Sequence, residues 1–141
     1  MSKIAVVYWS GTGNTEAMAN SVLKGAADKG AETKLFTASE FDKDAMDGFD
    51  AVAFGCPSMG TEELEDTEFE PMFSSLTDKL NGKKIALCGS YGWGDGEWMR
   101  NWEDSCKKAG AVLACDSVIC NDAPDDDASA QCEALGAALL V

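Results

Sequence analysis

The run Ile4-Ala5-Val6-Val7-Tyr8-Trp9 passes without a break into Ser10-Gly11-Thr12-Gly13-Asn14-Thr15 and then into a helical pattern. An apolar run of that length reads as a buried strand, so the unit is a strand, a glycine loop and a helix. Gly11 and Gly13 allow positive φ and a close approach of the backbone to a ligand. The first N–H groups of the helix have no intrahelical partner and lie at the positive end of its dipole. Such a loop suits an anion.

The side chains narrow the choice of anion. Ser10, Thr12, Asn14 and Thr15 offer donors but no formal charge. A nucleoside-triphosphate loop would need a Lys after its second glycine, and a dinucleotide fingerprint a third glycine at its own spacing. A phosphatase-like loop would need a Cys and an Arg, and the stretch has neither. An uncharged cradle fits a phosphate monoester that stays bound, as in a mononucleotide cofactor. The same residues also make an ordinary loop and helix cap, so this stretch alone leaves both readings open.

A chain of 141 residues has room for one sizeable core, and one domain over residues 1–141 is expected. Met1-Ser2-Lys3 leads directly into a short strand, without the pattern of a signal peptide. No apolar run approaches the ~20 residues of a membrane span, so a cytoplasmic protein with no membrane association is expected. The net charge of -14, from 11 Lys+Arg against 25 Asp+Glu, argues against nucleic acid and favours basic protein partners. The cysteines, Cys56, Cys88, Cys106, Cys115, Cys120 and Cys132, form no C-x-x-C pair, and the chain has no His. Reduced, buried thiols are therefore expected in place of a metal site.

Along the chain, Glu16 to Lys29 reads as an amphipathic helix stopped by Gly30, and Ala31 to Thr37 as an edge strand. Ser39 to Asp47 reads as a weak helix or turn, and Asp50 to Cys56 as a third strand. The acidic run from Glu62 to Glu70 closes a loop before a helix from Phe69 to Leu80. A fourth strand over Lys83 to Ser90 precedes the glycine- and aromatic-rich stretch Tyr91 to Trp98. A helix from Glu97 to Ala109, a fifth strand from Ala111 to Cys120, a polar turn from Asn121 to Asp127 and a closing helix from Ala128 complete the pattern. Strands alternating with helices imply a parallel sheet covered on both faces, with its ligand beyond the carboxyl ends of the strands. The informative loops are then those after the first, third and fourth strands.

In those loops the chain resembles the short-chain flavodoxins, and it does so along its whole length. Ser10 to Thr15 is similar to that family's FMN phosphate loop, Pro57-Ser58-Met59-Gly60 with Glu62-Glu63 to its inner flavin loop, and Tyr91-Gly92-Trp93-Gly94 to its outer one. Thr61 departs from the pattern, since the family often carries an acid or a smaller residue there. Flavodoxin is the reference example of strand order 2-1-3-4-5 with FMN at the switch point, so a doubly wound α/β sheet of about five strands in that order is what the resemblance implies.

The resemblance implies roles as well. Trp93, between glycines, would stack on one face of the ring, and Met59 would cover the other with its polarizable sulfur. Glu62 would accept from the flavin N3–H, although in an acidic run it also reads as a solvated charge. Backbone N–H groups of Gly92 and its neighbours, Ser90 to Gly94, would serve the pyrimidine edge. Ser58 and Thr61 flank the inner turn, and Asn121 would reach the ribityl chain. Trp98 and Trp102 are assigned to the core. Gly60 would let the inner turn exchange between two forms, with Thr61 favouring the one that has positive φ at Gly60.

The implied function is one-electron transport at low potential on non-covalent FMN, cycling mainly between semiquinone and hydroquinone, without catalytic residues and as a monomer. Its partners would be redox proteins with basic docking faces. An FMN-dependent reductase of a small substrate such as a quinone would use the same loop. A signalling receiver would need an acidic cluster after the first strand and a phosphorylatable Asp after the third, where this chain has Tyr8-Trp9-Ser10 and Gly55-Cys56-Pro57.

Overall fold

The computed structural model describes residues 2–140. Its strands are β1 (Lys3–Tyr8), β2 (Glu32–Thr37), β3 (Ala51–Gly55), β4 (Lys84–Tyr91), β5 (Val112–Leu113) and β6 (Val118–Asn121). Its helices are α1 (Asn14–Asp28), α2 (Lys43–Met46), α3 (Phe69–Ser75), α4 (Glu97–Lys108) and α5 (Asp126–Ala138). The strands run parallel in the order β2-β1-β3-β4-β5, with β6 also on β4.

Period-2 alternation divides the core between the two faces of the sheet. Ile4, Val6, Ala51, Ala53, Ala86 and Cys88 face α1 and α5, where Met18, Val22, Leu135 and Leu139 meet them. Ala5, Val7, Val52, Phe54, Ile85 and Leu87 face the other way, onto Phe69, Phe73, Trp98 and Trp102. Both tryptophans expected in the core are there, with Trp102 edge-on to Phe69 and Phe73 at centroid distances of 5.4 and 5.5 Å.

Several boundaries differ from the sequence reading, and each difference has a local cause. The single fifth strand is interrupted. β5 pairs with Lys84 and Ile85 and β6 resumes at Cys88, so residues 114–117 stand opposite only Ala86 and Leu87. The excess bulges out, and there Ser117 Oγ donates to Glu103 Oε2 of α4 at 2.6 Å. The helix read over Phe69 to Leu80 ends at Ser75 and continues as a tighter turn over Thr77–Lys79. The weak helix after β2 is likewise a tight turn over Ala38–Glu40 followed by α2, whose start is capped by Asp42 accepting from the Ala45 N–H. α5 begins two residues early, because Asp125 caps it by accepting from the Ala128 N–H. Gly30 follows α1 at φ 92°, its N–H donating to the Ala27 carbonyl while Ala31 N–H reaches Ala26, the paired closure of a Schellman motif. All six cysteines are free; Cys56, Cys88, Cys106 and Cys132 are buried as expected, whereas Cys115 and Cys120 are half-buried. Burial pushes the thiols of Cys56 and Cys106 up to about 12.

α1 and α5 approach so closely that glycine is required at the crossing. A Cβ on Gly136 would lie 2.0 Å from the Val22 carbonyl oxygen, and one on Gly25 would lie 1.9 Å from that of Glu133. Backbone oxygens cannot rotate aside. Gly136→Ala is therefore expected to destabilise the protein by about 2 kcal/mol or more, overriding the ~1 kcal/mol that Ala gains over Gly within a helix. The shift of the urea unfolding midpoint measures it.

Candidate functional site

From β1 the chain crosses to β2 on one side, and β3 then pairs with β1 on the other, so a crevice opens beyond the carboxyl ends of β1 and β3. The loops that leave Tyr8, Gly55 and Tyr91 meet there. They line a cleft of about 230 Å³ formed by Trp9, Gly11, Thr12, Asn14, Pro57, Ser58, Met59, Ser90, Tyr91, Gly92 and Asp122. A larger cleft, of about 460 Å³, lies between α3 and α4 over a floor that includes Phe73, Leu80, Trp98 and Trp102. Those four side chains are almost wholly buried, and the glycine loop is not part of that cleft. The smaller cleft is the candidate site because the anion loop and the switch point coincide in it.

At the anion end, α1 starts two residues earlier than the sequence pattern suggested, so Asn14 and Thr15 form its first turn. Its N-cap, Gly13, stands at φ 96° and no side chain caps the helix. The start of α1 is thus open, whereas α2 and α5 are closed by Asp42 and Asp125. Ser10 Oγ accepts from the Gly13 N–H at 3.0 Å, which fixes the loop and leaves the hydroxyl proton to donate elsewhere. Thr12 and Asn14 line the cleft. Thr15 turns inward: its Oγ1 is 3.1 Å from Ser90 Oγ and accepts from the Ser90 N–H at 3.4 Å. Thr15 and Ser90 therefore tie α1 to β4 beneath the cleft. No cation lines it.

At the other end, the Ser58 N–H donates to the Ser90 carbonyl at 3.0 Å, joining the loop after β3 to β4. Met59 and Glu63 exchange two backbone hydrogen bonds of 2.8 Å, closing a turn over Gly60, Thr61 and Glu62. Gly60 stands at φ 54°, and so, less expectedly, does Glu62 at 55°. Met59 and Trp93 are two of the three exposed large hydrophobics among the described residues, at 39% and 62%. Two side chains left uncovered beside one cleft mark the edge of a binding slot. Thr61 Oγ1 donates to Glu63 Oε1, and the Asn121 side-chain amide donates to the Tyr91 carbonyl at 3.2 Å.

Some expected site residues lie off the cleft. Glu62 accepts from the Asp95 N–H at 3.1 Å and, like Trp93, Gly94 and Asn121, does not line the cavity. Trp9 and Asp122 line it without having been singled out from the sequence. Trp9 closes the strand just before the loop and packs so near Gly11 that a Cβ there would be 3.1 Å from its ring. Asp122, at φ 58°, continues the end of β6.

Glu65 stands apart from the acidic run in which it lies. It is 4% exposed, and its carboxylate accepts from the N–H groups of Thr67, Glu68 and Phe69 at 2.8 to 2.9 Å and from the Thr67 hydroxyl. It thereby caps α3, which no N-cap side chain closes. Its own N–H donates to Cys56 Sγ at 3.4 Å, and the Cys56 carbonyl accepts from Trp98 Nε1 at 3.2 Å. The loop after β3 is thus held from both sides. Burial raises the Glu65 pKa, but the hydrogen bonds to Thr67, Phe69 and Glu68 outweigh it and hold the carboxyl below its ordinary value.

A doubly wound parallel sheet with an uncapped, uncharged anion loop at its switch point defines a flavodoxin-like α/β protein. The flavodoxin family profile matches residues 6–136. The chain is 43% identical to the flavodoxin of Megasphaera elsdenii, over 96% of both chains. It is 43% identical to that of Clostridium beijerinckii, over 86% of this chain and 88% of the other. The solution structure of two-electron reduced M. elsdenii flavodoxin superposes with a TM-score of 0.89, covering 96% of this chain and 97% of that one. The chain belongs to the flavodoxin family, FMN-holding electron-transfer proteins that pass electrons to redox partners.

Because its folded pKa is lowered, Glu65 contributes stability that is present above its unfolded value of about 4.3 and is lost as pH falls through the folded one. Glu65→Gln offers one acceptor oxygen to donors that now share two. Stability at pH 7 should fall by about 2 kcal/mol, and the acid limb of the stability–pH curve should become shallower. Urea titrations between pH 3 and 7 measure both.

Proposed function

We propose that residues 1–141 form one FMN-binding domain that carries electrons singly, at low potential, mainly between the one-electron and two-electron levels of the cofactor. The observation that carries this reading is the cleft itself, which an uncharged donor loop at an open helix start lines together with the exposed Met59. The residues fit the group. Ser10, Gly11, Thr12, Gly13, Asn14 and Thr15 form the phosphate end, Thr15 acting through its bond to Ser90. Ser58, Met59, Gly60, Thr61 and Glu62 form the inner wall, and Ser90, Tyr91, Gly92, Trp93 and Gly94 the outer one. Asn121 sets the outer wall through the Tyr91 carbonyl.

Bound FMN supplies the redox chemistry, and the chain supplies binding, orientation and electrostatics. Met59 and Trp93 would cover the ring and exclude water from it. Gly60, at φ 54°, lets the inner turn present a backbone carbonyl to a proton gained on reduction, because a buried donor without an acceptor costs about 1 to 3 kcal/mol. The M. elsdenii relative is known in a two-electron reduced state, which supports use of the lower level. No described helix is long and apolar enough to cross a membrane. A monomer in the cytoplasm, meeting redox proteins through basic faces, fits a charge of -14. A reductase reading rests on no feature of the cleft that the carrier lacks, and steady NAD(P)H oxidation by the pure protein would favour it.

Thr12→Ala removes a donor to a charged group, worth about 1.5 to 3 kcal/mol, and should loosen FMN about ten- to a hundredfold while leaving riboflavin almost unaffected. Equal weakening of both in a fluorescence titration would remove the phosphate assignment. Gly60→Thr places a β-branched residue at positive φ. It should destabilise the one-electron level by about 1 to 3 kcal/mol, read as a lower yield in a redox titration, while keeping oxidised FMN affinity within a few fold. An unchanged yield would remove Gly60 from the mechanism.

A further inference from the structure

The outer loop carries Trp93 between Gly92 and Gly94, a sequence with little stiffness of its own. On one side it is held at Tyr91, whose carbonyl accepts from the Asp122 N–H and the Asn121 amide. On the other it is held at Asp95, whose N–H donates to Glu62 Oε1 of the inner turn at 3.1 Å. That bond is a contact between two loops that leave different strands. Asp95 is itself braced from α4: Arg100 Nη2 lies 3.0 Å from its carboxylate, and Arg100 Nη1 donates to its carbonyl at 3.1 Å.

Two further features fit a built contact. Gly94 stands at φ 91°, and a Cβ there would lie 1.9 Å from Glu62 Oε1 and 2.5 Å from its carboxyl carbon. Only glycine lets the carboxylate lie against the chain at that point. Glu62 is also one of only two described non-glycine residues with positive φ, a conformation that L side chains resist and that is held here by the Met59–Glu63 pair. Among the described residues, the second Glu62 oxygen has no hydrogen-bond partner.

We propose that Glu62 is a latch between the two flavin loops: one carboxylate oxygen holds the Asp95 N–H and so positions Trp93. The inference rests on the flavin reading of the cleft and extends it, since Glu62 then acts before the ring arrives. A loop ordered in advance spares the ligand the entropy of ordering it. Glu62 is in this respect a positioning residue for Trp93.

Amide hydrogen exchange of the flavin-free protein tests the latch directly. Glu62→Ala should speed exchange of the Asp95 N–H about tenfold or more, with the Ser58 and Trp9 amides unchanged as controls for the fold. An FMN analogue methylated at N3 cannot donate to Glu62, and Glu62→Ala should still weaken its binding about fivefold through loss of loop order. Unchanged Asp95 exchange, or equal affinity of both proteins for the methylated analogue, overturns the latch. Should Glu62→Ala not fold, Arg100→Ala releases Asp95 from its other side and should likewise speed its exchange; protection as in the wild type overturns the proposal. A wild-type protein that bound neither FMN nor the analogue would instead overturn the flavin reading, and would do so with Asp95 still protected.

Discussion

The site depends on the start of α1 being left open. Three other helix starts are closed by a carboxylate, Asp42 on α2, Glu65 on α3 and Asp125 on α5, while α4, like α1, starts at a left-handed glycine, Gly96, without a side-chain cap. At α1 the cap is a left-handed glycine, and Ser10 is used to hold the loop rather than to fill the helix end. The unmet N–H groups are kept in place from below by the Thr15–Ser90 contact, which joins the first turn of α1 to β4. An anion therefore finds its donors already arranged, and little entropy remains to be lost on binding.

This arrangement also explains how a protein of charge -14 can hold a phosphate group. A unit charge ~12 Å away in water contributes only about 0.3 kcal/mol, and a Debye length of ~8 Å reduces that to roughly 0.1. A hydrogen bond to a charged group at contact distance is worth about 1.5 to 3 kcal/mol. A few aligned donors thus outweigh many distant acids, and the acids remain free to guide partners. Glu65 does not belong with those surface acids, because its charge is absorbed by backbone donors inside the protein.

The elements that apolar periodicity and glycine mark were legible in the sequence, including the sheet, the glycine loop between β1 and α1 and the buried Trp98 and Trp102. What escaped depends on partners distant in the chain. Glu65 looks like its acidic neighbours because its ligands are backbone N–H groups, which composition does not display. Glu62 faces Asp95, a residue 33 positions away, and only the fold brings the two together. The break between β5 and β6 falls at residues 114–117, where the Ser117 contact to Glu103 of α4 has no local signal. Trp9 reads as the end of a strand until the sheet places that end in the cleft.

The central claim is that the α1 start binds phosphate through backbone N–H groups without a cation. Backbone amide shifts recorded during titration of ¹⁵N-labelled protein with FMN test it directly. The account predicts large downfield proton shifts for Thr12, Asn14 and Thr15 with FMN, and much smaller ones with riboflavin. Saturable FMN binding that left those three amides unmoved would contradict it.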